Sequence, residues 1–298
     1  MSLAKRHPSA KIGRCDLYHG RDHEPLKERA MRHIDHVVVA ARDLDGAANL
    51  YARLGFQVGP RNRHPWGTEN RIIQFRQSFI ELITVPEDAD IPPHAPGHFS
   101  FGAFVRDYLQ RREGVAMLVL SSADATADAV RFAQEGIGDF SPFRFERTGR
   151  RPDGSATHVA FSLAFAVDTQ APGLGFFTCQ QHFPQAFWNE ALQRHANGAT
   201  AITRVTIAAP RPQDHAAFLS AFTGSPVTEP THVSLDGGVI TLIPGTAAPA
   251  FVGLDVQVPD LEGLAERLRA SCIALDEQAG AVTVKPDGLH GVRLSFVC

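Results

Sequence analysis

The chain has 298 residues, 44% of them hydrophobic and 20% charged, and its 29 Lys and Arg against 32 Asp and Glu give a formal net charge of −3. That composition excludes a disordered chain, and the balance of charge excludes the broadly basic surface of a general nucleic-acid binder. No run of 18 apolar residues is present to cross a membrane as a helix.

Cys15, Cys179, Cys272 and Cys298 are too scattered for a disulfide framework or a zinc ribbon. The start lacks the charged-then-apolar layout of a secretory signal, so a cytoplasmic protein is expected. Phosphate-loop, dinucleotide-fold, nucleophile-elbow and HExxH motifs are absent. Histidine stands out instead, with 14 residues.

Residues 1–30 read as a polar arm with few apolar residues and no period of 2 or 3.6. Cys15, His19 and His23 share one face if the arm is helical, but a lone frayed helix is a poor metal site.

Patterned sequence starts at residue 33. HIDHVVVAA predicts a strand, and Asp43 opens an amphipathic helix that ends at Gly55. FQVGP predicts a short strand, RHPWGTEN a turn-rich loop, and RIIQF with SFIELITV a hairpin around Arg76-Gln77. The loop calls for a positive φ at Gly67, with Thr68 or Asn70 bonding nearby backbone. The order is strand, helix, then three strands.

That order recurs. AMLVLSS, DATADAVRFAQEGIG, FRFERTG, THVAFSLAFAV and LGFFTCQQH form a second copy. ITRVTIAA, RPQDHAAFLSAFTG and a THVSL/GVITLIP hairpin form a third, and FVGLDVQV, DLEGLAERLRAS, AVTVKP and GVRLSFV a fourth. Superposing the first strands aligns His36, Met117, Arg204 and Gly253. HANGAT, residues 195–200, marks a boundary, which divides the patterned chain into 31–194 and 195–298. A sheet covered by one helix must bury its other face elsewhere, so paired copies are expected to close a concave sheet around a cavity.

HIDHVVVAARDLDGAANLYARLGF, SFIELITV, RHPWGTENRIIQF, LGFFTCQQHFPQAFW and HGVRLSFV together resemble the glyoxalase-like members of the vicinal-oxygen-chelate superfamily. The resemblance covers residues 33–298. It implies an α+β fold of tandem βαβββ modules forming two cupped mixed-sheet units. It also implies a divalent metal in the cup, Zn, Fe, Mn or Ni, held by residues of the first and last strands of the modules.

The matching first-module positions are His36 and Glu81, an imidazole and a carboxylate suited to such ions. The other modules depart from this pattern, with Met117, Arg204 and Gly253 on first strands and Cys179 (or Gln180), Thr241 and Ser295 on last strands. His64 and His182 are candidates to fill the deficit. Glu81 interrupts an apolar run, where an unpartnered carboxylate is costly. Under the metal-dependent enzyme that the resemblance implies, Glu81 would be a ligand and also a candidate base for moving a proton beside a carbonyl.

Trp66, Arg63 and Arg71 are candidates for holding a substrate, the arginines through an anionic group, and Gln180 and Gln181 suggest a strand end facing a polar cavity. Trp188 reads as packing under the boundary, and His195 and His215 as surface. The last two modules read as a degenerate unit that buttresses the first or builds a homodimer surface. Two functions remain open: a metal-dependent lyase or isomerase acting on a small oxygenated molecule, or a non-catalytic protein that sequesters one.

Overall fold

A computed structural model describes residues 31–150, 156–227, 231–245, 247–284 and 291–298. The polar arm, with Cys15, His19 and His23, lies outside the described residues, as does His290.

Strand β1 (Ile34–Ala40) is buried along its whole length, its polar Asp35 and His36 as well as the apolar run from Val37 to Ala40. Helix α1 (Leu44–Arg53) starts where Asp43 accepts a hydrogen bond from the Gly46 amide, and ends at Gly55, whose φ of +88° few other residues adopt. FQVGP does not form the expected strand. A two-residue strand, β2 (Asn62–Arg63), forms instead, and its pairing with β3 (Glu69–Gln74) draws the following turn inward. Strand β4 (Phe79–Thr84) completes the hairpin.

Next comes a helix outside the expected repeat, α2 (Phe101–Arg111), capped by Ser100, whose hydroxyl accepts from the Ala103 amide. The second module follows as β5 (Gly114–Ser121), α3 (Ala125–Gln134), β6 (Phe143–Arg150), β7 (Ala156–Ala166) and β8 (Gly175–Gln181), and a short helix, α4 (Pro184–Phe187), comes after it. The remaining modules supply β9 (Ala201–Ala209), α5 (Ala216–Thr223), β10 (His232–Leu235), β11 (Gly238–Pro244), β12 (Ala250–Gln257), α6 (Leu261–Ala270), β13 (Leu275–Gln278), β14 (Ala281–Val284) and β15 (Arg293–Val297).

The first two modules share one eight-stranded sheet, ordered β2-β3-β4-β1-β5-β8-β7-β6. The last two share a seven-stranded sheet, ordered β10-β11-β9-β12-β15-β14-β13. Each is mixed. In the first, β1 runs parallel to β4 and antiparallel to β5, and β5 runs parallel to β8. This is the α+β architecture of tandem βαβββ modules in two cupped sheets.

One apolar core joins α1, α3, α5 and α6 to one face of both sheets. The other face of the first sheet packs against α2, through Phe101, Phe104, Val105, Tyr108 and Leu109. Each such side chain contributes about 1.5–3 kcal/mol when fully buried. Helix α2 therefore fills most of the cup and leaves a small cavity. The corresponding face of the second sheet is polar, with Arg204 paired to Asp255 at 3.5 Å and the Thr283 and Ser295 hydroxyls 2.9 Å apart.

Two histidines expected at the surface are structural. His215 is buried with Nδ1 at 2.6 Å from Asp168. His195 is half-buried and ties the 195–200 segment to the first module, with its Nδ1 accepting from the Gln57 amide and its Nε2 donating to the Gln74 carbonyl. Burial also lowers its basicity, which suits a neutral ring.

Candidate functional site

Alternation along the strands of the first sheet decides what enters the cup. His36 and Val38 on β1, Phe79 and Glu81 on β4, and Asn70 and Ile72 on β3 face inward. Parallel pairing sets Val38 opposite Glu81 and His36 opposite Phe79, so His36 and Glu81 lie diagonally on neighbouring strands. The tight turn between β2 and β3, closed by the Gly67 amide donating to the His64 carbonyl, carries His64 and Trp66 over them. Gly67 has a φ of +99°, as the turn chemistry requires.

His36, His64, Trp66, Asn70 and Glu81 line one cavity of about 50 Å³, walled otherwise by aromatic and apolar side chains and by Arg147. That volume holds a few waters or a small polar head group, and no more.

Polar groups inside the cavity are held in a definite order. Asp35 Oδ1 lies 2.6 Å from His36 Nδ1, and Gln181 Nε2 donates to Asp35 Oδ2 at 2.8 Å. Asn70 Nδ2 donates to Glu81 Oε1 at 2.5 Å, which fixes the orientation of the amide. The same nitrogen stands 3.3 Å from His64 Nε2. His64 Nε2 is therefore the acceptor, and His64 Nδ1 donates to Thr68 Oγ1 at 2.8 Å.

Both rings thus carry a proton on Nδ1 and turn Nε2 toward one carboxylate, with His36 at 3.9 Å from Oε2 and His64 at 3.5 Å from Oε1. Burial lowers the His64 pKa to about 4 despite the opposing charge of Glu81. His64 is therefore neutral at ordinary pH, with its lone pair facing an anion. A proton or cation shared at that point relieves the repulsion. Trp66 Nε1 and Asn70 Oδ1 are buried without a hydrogen-bond partner.

Four of the expected site residues, His36, Glu81, His64 and Trp66, meet in this cavity. Trp66 stacks on His64 with ring centroids 4.3 Å apart. The others lie elsewhere. His182 bonds Ser162 Oγ at 2.8 Å, because β8 ends before it can turn inward. Arg63 is exposed and paired with Asp88 and Glu69, and Arg71 reaches back to Asp45 and the Gly59 carbonyl. Gln180 anchors the start of α3 through the Ala125 amide and Ala123 carbonyl, and Gln181 sits behind His36 on Asp35. Thr68 and Asn70 bond the side chains of His64 and Glu81 instead of backbone. Trp188 packs on Phe79 and Phe187 beside the cup.

Sequence reasoning passed over Asp35 and Arg147. Of the alternatives at the end of the second module, Cys179 is the residue that lines the cavity, and burial raises its thiol pKa well above the ordinary value.

A family model described as a glyoxalase-like domain matches residues 34–223, more than half of the chain. The chain belongs to the glyoxalase-like domain family. No curated protein matches it at a significant level. Solved structures share the fold at 12% identity, which speaks to architecture alone. A hypothetical protein from Staphylococcus aureus superposes with a TM-score of 0.64, covering 88% of this chain and 98% of its own. A mutant 4-hydroxymandelate synthase from Streptomyces coelicolor gives 0.56, covering 90% and 93%. The Mn(II)-bound glyoxalase from Novosphingobium aromaticivorans gives 0.52, covering 90% and 82%. These neighbours share the architecture of the glyoxalase-like chain.

The glyoxalase-like cup can be tested for a divalent ion on its donors. Two imidazole nitrogens and a carboxylate are a set that binds such ions with positions left open. A carboxylate behind His36 is the outer partner that metal-bound imidazoles commonly have. Among the described residues, however, no group of three or more His, Cys, Asp and Glu is arranged to hold an ion. The donor chemistry fits; the donors are not closed around a centre.

Proposed function

We propose that this glyoxalase-like chain is an enzyme of the lyase or isomerase type, acting on a small oxygenated molecule in the first cup with a divalent metal on His36, His64 and Glu81. The observation that carries the reading is the His64 Nε2 lone pair turned, beside the His36 Nε2 atom, on the Glu81 carboxylate inside an apolar cavity. Such an arrangement is costly alone and becomes favourable around a cation or a transferred proton.

When bound, a divalent ion would polarise a substrate carbonyl as a Lewis acid. Glu81 takes the proton from the carbon beside that carbonyl, and Asn70 holds the carboxylate oriented for it. Asp35 keeps the His36 ring in one tautomer, and the aromatic wall of the cavity excludes bulk water.

A second reading, a protein that sequesters its ligand without chemistry, is favoured by Met117 and Cys179. They stand where the second module would supply further ligands. Metal analysis of the purified protein, beside His36→Ala and Glu81→Gln, separates the two readings. The enzyme reading expects stoichiometric metal in the wild type and its loss in both variants. Metal retained by His36→Ala removes the ligand assignment. No metal, with tight binding of a ligand recovered unchanged, establishes the second reading.

A further inference from the structure

Outside the small inner cavity lies a larger chamber of about 780 Å³, walled by the 59–62 segment, by β7 and by residues 186–192. Ile72, Arg147 and Phe187 line both spaces and so form the neck between them. The inner space is too small for a ring, so a ligand of any size must keep its body outside and pass only a head group through the neck. What stands at the neck therefore selects the head group.

Arg147 is placed there by the alternation of β6. On this edge strand Phe143, Phe145 and Arg147 point into the cup, and Arg144 and Glu146 point away. The outward charges are satisfied, since Glu146 meets His158 at 3.3 Å and Arg144 at 3.8 Å. The inward one is not. Among the described residues Arg147 has no ion-pair or hydrogen-bond partner, and it is the only arginine or lysine lining either space.

Glu81 faces the same inner cavity without touching Arg147, so the two opposite charges are separated by space a ligand can occupy. Burial lowers the guanidinium pKa and the charge of Glu81 opposes this, but arginine remains charged in any case.

We infer that Arg147 is the anchor for a ligand carboxylate, held at the neck with the body of the ligand in the outer chamber and its oxygenated carbon toward His36, His64 and Glu81. The planar guanidinium fork matches a carboxylate in two parallel hydrogen bonds. A phosphate dianion suits the place less well, because Glu81 faces the same cavity and repels the second negative charge. The inference rests on the cup being the ligand site, and it holds whether the protein catalyses a reaction or only binds.

The test is a binding titration of the full chain with benzoate, benzamide and inorganic phosphate. It is read from the indole signals of its two tryptophans, Trp66 at the inner cavity and Trp188 at the outer chamber. Benzoate is expected to move the Trp188 signal and to bind at least about 10-fold more tightly than benzamide. Arg147→Gln should weaken benzoate by about 10- to 100-fold and leave benzamide unchanged, and Arg147→Lys should recover part of the loss. Near-ultraviolet circular dichroism confirms that both variants fold.

Equal binding of benzoate and benzamide, no binding of benzoate, or benzoate binding untouched by Arg147→Gln would each overturn the inference. Phosphate binding tighter than benzoate overturns the carboxylate assignment. The titration needs neither metal nor turnover. Arg147-dependent binding in a protein that carries no metal would therefore defeat the enzyme reading and leave this one standing.

Discussion

Asp35 and His36 are neighbours in the chain whose side chains bond to each other, Oδ1 to Nδ1 at 2.6 Å. Adjacent residues of a regular strand point to opposite faces, so this contact needs an irregularity. It has one: the pairing of β1 with β5 shifts register between Ile34 and His36, a bulge that leaves Asp35 outside the ladder. Gln181 then holds the second carboxylate oxygen. The bulge thus sets both the tautomer and the aim of the ring that faces Glu81.

Asp35→Ala should release that control. Nitrogen chemical shifts of the His36 ring, measured well above neutral pH, are expected to report the Nδ1–H tautomer in the wild type and a mixture in the variant. If the protein binds metal as proposed, the variant should bind it about 10- to 100-fold more weakly. An unchanged tautomer would mean that Phe79, stacked on the ring at 4.1 Å, fixes it instead.

Among the described residues, Asn70 is the one amide that donates to Glu81. Asn70→Leu leaves a buried carboxylate without its donor and should cost about 1–3 kcal/mol in urea unfolding. Removing both polar groups in Asn70→Leu/Glu81→Leu should return part of that loss, because no group is then left unsatisfied. A double variant less stable than Asn70→Leu would show that the pair contributes net stability.

His64 links folding to pH. Its folded pKa of about 4 lies below the ordinary 6.5 of the unfolded chain, so between those values the unfolded state binds more protons. Stability from this group is full above about pH 6.5 and falls as pH drops toward 4, by about 3 kcal/mol in all. Unfolding of the metal-free protein across that window should have a steeper pH dependence than unfolding of His64→Asn. Parallel curves would place the His64 pKa near its ordinary value.

The repeat was legible because it rests on period and punctuation. Alternating strands, Asp caps at residues 43, 124 and 260, and the Gly55 stop each have a local cause. His36 and Glu81 could be found because the positions that the family resemblance implies lie at regular strand register. Residues whose roles depend on departures from regularity were hidden. Asp35 works through a bulge, and His182 falls one residue past the end of β8. Helix α2 has a Ser100 cap and apolar residues at 101, 104, 105, 108 and 109, a readable helical period. It was obscured by a four-copy repeat that has no place for it. Arg147 carried a signal too, as the charged end of the inward row Phe143, Phe145, Arg147.

Because α2 fills the cup, its two first-turn phenylalanines offer a measure of how polar the cavity is. Phe101 lies against Trp66 and Phe177, with ring centroids 5.6 and 5.9 Å away, and borders the polar cavity. Phe104 is similarly buried but packs on Phe99 and Tyr108, away from any polar group of the site. Truncating a buried phenylalanine to alanine costs about 3–5 kcal/mol when the hole stays empty. A hole bordered by unpaired polar atoms can take water, and Trp66 Nε1 and Asn70 Oδ1 supply a donor and an acceptor. Phe101→Ala should therefore cost less than Phe104→Ala, and it should enlarge the inner cavity enough to admit a ring. Urea unfolding of the two variants checks the order. Equal losses would mean that the cavity around Glu81 stays dry when opened, which would leave the two orphaned polar atoms without water as a partner.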